Sequence, residues 1–98
     1  MAEVEDIVKR LMQHPGVTGV VIASCEGIPI RTTFNNEKAT HYAARYVDLI
    51  NKARRCVQDT DPTNDLSFVR VRTKAHEIMV APDKDFILIV TQKPSEAC

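Results

Sequence analysis

Apolar residues recur at helical spacing in two parts of the chain. Near the start, the spacing i, i+3, i+4, i+7, i+8 predicts an amphipathic helix. Its members are Val4, Ile7, Val8, Leu11 and Met12. A longer stretch follows the potential cap Asn35-Asn36 and runs to a loop that begins near Asp59. Its apolar residues repeat every three or four positions, which predicts a helix of about 23 residues, about 35 Å long.

A β-hairpin is predicted between these two helices. Residues 17–23 are apolar and β-branched, residues 28–33 alternate, and Gly27 lies in the turn that joins them. Pro29 has no N–H to donate to a neighbouring strand. We therefore expect the second strand of the hairpin to lie at a sheet edge.

Three further strands are predicted after the long helix, at residues 66–73, 77–81 and 86–90. Short turns separate them, and Pro82 is expected to begin the second of these turns. The last strand is apolar on both faces, which predicts a central position in the sheet. The order is α-β-β-α-β-β-β, an α+β fold with a five-stranded antiparallel sheet and two helices. We expect one domain over residues 1–94 and a flexible C-terminal tail at residues 95–98.

The third strand permits two interpretations. Leu66 and Phe68 are predicted on one face with the arginines, and the valines on the other. The arginines either protect an exposed sheet edge from aggregation, or the strand pairs with its own copy across a two-fold axis. Surplus apolar surface on the long helix favours pairing. The predicted dimer interface comprises Phe68, Val69, Arg70, Val71 and Arg72, together with Tyr46, Val47 and Ile50.

The net charge of the chain is zero. Neutrality removes the long-range attraction to nucleic acid or to an anionic membrane, and we expect neither nucleic-acid binding nor membrane insertion. The strongest apolar run, residues 86–90, is too short to span a bilayer. Three cysteines without metal-type spacing are interpreted as reduced thiols, with Cys56 on the inner face of the long helix.

No catalytic constellation is evident in the sequence. The histidines His14, His41 and His76 are isolated from one another. Asp83 and Asp85 flank a lysine in a turn, where an Asx-type hydrogen bond is the simpler interpretation of a carboxylate pair. We therefore expect no enzymatic activity, no metal and no cofactor.

Two groups of basic residues stand out in the neutral chain. Lys52, Arg54 and Arg55 lie late in the long helix, and Arg70, Arg72 and Lys74 lie in and after the third strand. The groups are interpreted either as solvated faces or as a docking surface for an acidic partner segment.

Three blocks of sequence resemble the roadblock-type light chain of dynein. They are residues 26–33 (EGIPIRTT), 64–72 (NDLSFVRVR) and 77–86 (EIMVAPDKDF). The resemblance covers about residues 1–94 and implies a roadblock fold. It also implies a homodimer, or a heterodimer with a paralogue, whose third strands pair into a ten-stranded sheet.

The resemblance has functional implications as well. It implies a non-catalytic light chain that binds the dynein intermediate chain and supports motor assembly and cargo attachment in microtubule-based transport. The expected location is the cytoplasm and cytoskeleton, with dynein on microtubules or in the axoneme of a cilium or flagellum. For the partner-binding groove, the first helix is the candidate, at Ile7, Leu11 and Met12. The alternative function is a GTPase-regulating or signalling scaffold of the same fold.

Overall fold

The computed structural model describes residues 2–93, and its elements follow the predicted order. They are α1 (Ala2–Met12), β1 (Val17–Ser24), β2 (Pro29–Thr32), α2 (Asn36–Thr60), β3 (Val69–Arg72), β4 (Glu77–Asp83) and β5 (Phe86–Gln92). The strands form one antiparallel sheet in the order β2-β1-β5-β4-β3. The predicted α+β fold is confirmed. The predicted tail, residues 95–98, lies outside the described residues.

The two helices pack on opposite faces of the sheet. Val4 and Val8 of α1 cover Val20 and Ile22 of β1 on one face. On the other face, the apolar stripe of α2 covers alternate residues of β1, β4 and β5; the stripe comprises Ala39, Ala43, Val47 and Ile50. The strand β5 is therefore central and covered from both sides, as its two apolar faces predict.

Helix α2 begins at a side-chain cap. Asn35 has an extended backbone, and its Oδ1 accepts a hydrogen bond of 2.8 Å from the Lys38 N–H, which satisfies one of the unpaired donors of the first turn. The helix has 25 residues and is about 37 Å long. It connects β2, at one edge of the sheet, with β3, at the other. Cys56 of this helix is exposed, so its predicted inward orientation is wrong.

The strand β3 is shorter than predicted, because it begins at Val69 rather than at residue 66. Val69 lies opposite Val80 in the register with β4, and continuation of that register would place Ser67 opposite Pro82. A proline has no N–H to donate to a neighbouring strand, so the ladder ends where it would reach Pro82. Leu66, freed from the strand alternation, packs on the α2 side with the main core, which is contrary to its predicted place beside the arginines.

The turn between β4 and β5 also differs from the prediction. Pro82 does not begin it but lies within β4, opposite Ile87. The turn consists of Lys84 and Asp85, and Lys84 has the left-handed backbone conformation (φ 48°). A two-residue connection of this kind matches the twist of paired strands. It directs the next strand straight back along β4.

Candidate interaction surfaces

The strand β3 presents an edge of the sheet whose outer side has no neighbouring strand among the described residues. The Thr73 N–H donates to the His76 carbonyl at 2.8 Å. Backbone groups alternate in direction along an antiparallel strand, so Val69 and Val71 direct theirs toward β4. Arg70 and Arg72 therefore direct their backbone N–H and C=O groups outward. This is the arrangement that accepts another strand.

The side chains of β3 divide between the two faces of the sheet. Val69 is half-buried against the core beneath α2. Arg70 and Arg72 lie on the opposite face, the α1 side. There the Arg70 Nε is 4.0 Å from the Glu77 Oε2, and the Arg72 Nε is 3.7 Å from the Glu77 Oε1. The Glu77 side chain is only 9% exposed, so one nearly buried carboxylate serves both guanidinium groups.

A row of partly exposed aromatic rings begins just before α2 and continues along the helix. Phe34 meets Tyr42 edge to face with ring centroids 5.4 Å apart, and Tyr42 meets Tyr46 in the same way at 5.6 Å. Burial, and secondarily the neighbouring Tyr42, raises the pKa of the Tyr46 hydroxyl above its ordinary value of 10.0. Leu49, one turn further along the helix, is exposed. Tyr42, Tyr46 and Leu49 give α2 an apolar surface that the sheet covers only in part.

The predicted interface residues of α2 do not all reach this outer surface. Tyr46 is half-buried, but Val47 and Ile50 are 3% and 1% exposed and pack against the subunit's own sheet. They support α2 from within and offer no contact area to a second copy. Phe68 is exposed just before β3 begins. The residues that the structure leaves available on α2 are Tyr42, Tyr46 and Leu49.

A groove runs along the flank of α1 over the uncovered half of the sheet. Here it is called the α1-side groove, and its lining residues are Ile7, Leu11, Met79, Phe86, Leu88 and Val90. At one end, Leu11, Met79 and Val90 line a depression of about 290 Å³. At the other, Ile7 and Phe86 line a depression of about 560 Å³ with charged residues around it. Leu88 lies between them, packed against the α1-side core.

Two of the three predicted partner-binding residues line this groove. Ile7 and Leu11 lie on the flank of α1 that faces β5 and β4. Met12 is exposed and lines no part of the groove. The floor of the groove was not among the predicted partner-binding residues, although Phe86, Leu88 and Val90 share one face of β5 by simple alternation. That alternation was the available signal.

An ion pair fixes α1 to the edge strand β2. The Arg31 Nε donates to the Glu5 Oε1 at 2.6 Å. This hydrogen bond, with the charge of Arg31, holds the pKa of the Glu5 carboxyl below its ordinary value of 4.5. The pair ties the helix at its β2 side, which leaves the opposite flank of α1 open to the groove.

The described residues contain no group of three or more His, Cys, Asp or Glu side chains placed to hold a metal ion. Within residues 2–93, neither helix has the length and apolar character needed to cross a membrane. The surfaces with distinctive geometry are thus the β3 edge, the outer face of α2 and the α1-side groove. All three are suited to contacts with other protein segments.

Comparison with known proteins identifies the fold. The family described as the Roadblock/LC7 domain matches residues 3–93. This chain belongs to the Roadblock/LC7 family. Its structure is also similar to the crystal structure of a Roadblock/LC7 domain from Streptomyces avermitilis, with a TM-score of 0.78 and 21% sequence identity. That similarity covers 85% of this chain and 71% of the other.

The family assignment confirms the roadblock fold that the resemblance implied. The Roadblock/LC7 domain is a non-enzymatic protein-interaction domain. Roadblock domains generally form dimers and bind partners. In this chain, the β3 edge and the α1-side groove are open surfaces.

Proposed function

We propose that this Roadblock/LC7 protein is a non-catalytic light chain of the dynein microtubule motor. It forms a dimer and binds a segment of the dynein intermediate chain, and so supports motor assembly and cargo attachment. The proposal rests on the close resemblance of residues 26–33, 64–72 and 77–86 to the dynein type, together with membership of a protein-interaction family. The protein acts in the cytoplasm on microtubules, or in an axoneme.

The dimer is proposed to form through the β3 edge. The observation that supports it is the outward direction of the backbone groups of Arg70 and Arg72, which have no neighbouring strand among the described residues. Two copies paired here would form a continuous sheet of ten strands across a two-fold axis. The outer faces of their α2 helices would then lie side by side, with Tyr42, Tyr46 and Leu49 between them. A paralogue with a similar edge strand could replace the second copy.

The intermediate-chain segment is proposed to lie in the α1-side groove. Helix α1 covers β1, and the neighbouring part of the same face stays open over Met79 and Leu88. An amphipathic helix placed there would bury its apolar side against these residues, which is the helix-in-groove mode of recognition. Binding would therefore need no chemistry beyond shape, apolar contact and charge.

A pull-down from cell extract tests the motor assignment. The bait is the full chain, and the matched control is Met79→Gln, which places an amide in the groove. The proposal is supported if the wild type retains the dynein intermediate chain and the Met79→Gln variant retains less of it. Retention of a small GTPase without intermediate chain would contradict it. That result would favour the second function compatible with the family, a GTPase-regulating or signalling scaffold.

A further inference from the structure

The two edges of the sheet differ in what they offer to another strand. At one edge, β3 directs the backbone groups of Arg70 outward. At the opposite edge lies β2, where the Thr33 N–H donates inward to the Val20 carbonyl at 3.0 Å. Because backbone directions alternate along an antiparallel strand, the N–H and C=O of Thr32 point outward, away from β1.

The outward carbonyl of Thr32 already has a donor within the subunit. The Arg31 Nη1 donates to it, and the same guanidinium donates through its Nε to the Glu5 Oε1 at 2.6 Å. Just beyond β2, the Phe34 N–H donates to the Thr32 hydroxyl at 2.9 Å. An acceptor that an added strand would need is therefore occupied, and so is the next donor along the chain.

The first half of β2 is unsuited to pairing for a different reason. Its first residue, Pro29, has no N–H to donate. Consecutive residues of β1, Ile22 and Ala23, pair with Arg31 and Pro29, so Ile30 is an extra residue that forms a β-bulge. A bulge bends the strand and interrupts the regular order of its hydrogen bonds. Proline, a bulge and a charged side chain are all features that keep sheet edges from pairing.

This edge also carries apolar side chains that association would bury. Ile28, just before β2, is 60% exposed, and Ile30 within it is 41% exposed. Burial of such side chains between two copies would be favourable. Copies that paired at both β2 and β3 would add to one another without closing, because the two strands are opposite edges of one sheet.

We propose that Arg31 closes the β2 edge, so that sheet pairing between copies stops at two. The guanidinium occupies the acceptor that an added strand would use, and Glu5 of α1 holds it there through the second hydrogen bond. Arg31 therefore leaves β3 as the edge at which copies pair. The number two rests on the proposed pairing at β3, whereas closure of the β2 edge rests on the contacts of Arg31.

Removal of the guanidinium tests this closure. Arg31→Thr takes it away and leaves a residue that suits a strand. We expect the variant to form species larger than two copies, with association at β2 at least about tenfold stronger than in the wild type. Sedimentation velocity over a micromolar concentration series measures the size distribution. The wild type should form no species larger than a pair.

A matched double variant separates opening of the edge from damage to the fold. Arg31→Thr also breaks the ion pair with Glu5, and that loss persists when Ile30→Lys is added. The added lysine restores the net charge and places a charge at the edge, which opposes pairing. The double variant should therefore return to the size distribution of the wild type. Circular dichroism checks that both variants are folded.

Hydrogen exchange on the wild-type protein tests the same point without a substitution. The Thr32 N–H points outward at the closed edge, so its exchange rate should not depend on protein concentration. The Arg70 N–H points outward at the pairing edge and should exchange more slowly as copies associate. If Arg31→Thr does not fold, this comparison decides the question.

Four results would overturn the inference. They are a folded Arg31→Thr protein no larger than the wild type, larger species that persist in the double variant, a wild type that exceeds two copies, and protection of the Thr32 N–H that rises with concentration. Failure of the proposed pairing at β3 is recognised separately, because exchange of the Arg70 N–H would then be independent of concentration. The motor assignment is tested by the pull-down alone.

Discussion

The ring of Phe34 lies directly against the backbone of Gly19. A Cβ at position 19 would meet the Phe34 Cζ most closely and would stand 2.6 Å from the Phe34 Cε1, nearer than real Cβ atoms approach such neighbours. The absence of a side chain at Gly19 therefore lets the ring sit on β1. From there Phe34 begins the edge-to-face row that continues through Tyr42 to Tyr46 on α2.

Gly19→Ala should destabilise the protein by about 1–3 kcal/mol, because the new methyl group displaces a packed aromatic ring. Thermal or urea unfolding measures the loss. Adding Phe34→Leu to Gly19→Ala should recover part of it, since the smaller side chain makes room for the methyl group.

Gly16→Ala is the matched control. Gly16 has a positive φ of 88°, and an added Cβ would meet nothing within 4 Å. The cost of Gly16→Ala is therefore one of backbone conformation, about 1–2 kcal/mol. Phe34→Leu should give no recovery there. Simple additivity of Gly19→Ala and Phe34→Leu would contradict the steric explanation.

The Glu5–Arg31 pair predicts a pH dependence of stability. The folded-state pKa of Glu5 lies below its ordinary value of 4.5, so the carboxylate contributes stability above that pH. The contribution is lost as the pH falls through the lower folded pKa. Glu5→Gln should therefore destabilise the protein at neutral pH, and the difference from wild type should shrink in acid.

Urea unfolding across this pH range measures that difference. Asp6→Asn is the control, since Asp6 is an exposed neighbour on the same helix and has no ion pair among those the structure records for the described residues. A difference between wild type and Glu5→Gln that stays constant from neutral to acid pH would rule out the ion pair as its source.

The element order of the fold followed from local patterns, but the extent of β3 did not. Periodicity predicted residues 66–73 as one strand, yet the strand starts at Val69. Its beginning depends on Pro82, a residue of another strand that only the register brings opposite Ser67. The alternation of residues 66–73 does not show which residues of the neighbouring strand lack a backbone N–H to donate. The same limit placed Leu66 on the wrong face.

The interaction surfaces were predicted in part. Val69 and the arginines were correctly placed on opposite faces, because strand alternation fixes them. On α2, the apolar surface spans more than one stripe, and the sequence does not say which stripe meets the sheet. Val47 and Ile50 turned out to be core, and Leu49 outer surface. The floor of the α1-side groove depended on knowing that α1 packs mainly over β1 and leaves Met79 and Leu88 partly open, which is a tertiary fact.

Self-pairing of β3 can be tested through one backbone donor. The Arg70 N–H points away from β4, so Arg70→Pro should leave the ladder within the subunit intact and remove a hydrogen bond between copies. Arg70→Thr removes the same charge and keeps the N–H. We expect Arg70→Pro to weaken dimerisation at least about tenfold relative to Arg70→Thr.

Light scattering over a micromolar concentration series measures this difference. Circular dichroism checks that Arg70→Pro remains folded. A dimer equally stable in both variants would move the interface away from the β3 edge. A wild-type protein that is monomeric throughout the series would contradict self-association altogether and leave a paralogue as the only partner of that kind.

The same substitution at two methionines tests whether the partner binds in the α1-side groove or on the exposed side of α1. Met79→Gln places an amide on the half-buried floor of the α1-side groove, and Met12→Gln makes the same change on the exposed side of α1. Burial of a methionine side chain by a partner contributes about 1.5–3 kcal/mol. Met79→Gln should therefore reduce capture of the intermediate chain about tenfold, and Met12→Gln should have little effect.

Quantitative pull-down with each variant as bait measures both effects. Loss of capture with Met12→Gln alone would place the partner on the outer surface of α1. That result would agree with the prediction from sequence that Met12 is a partner-binding residue.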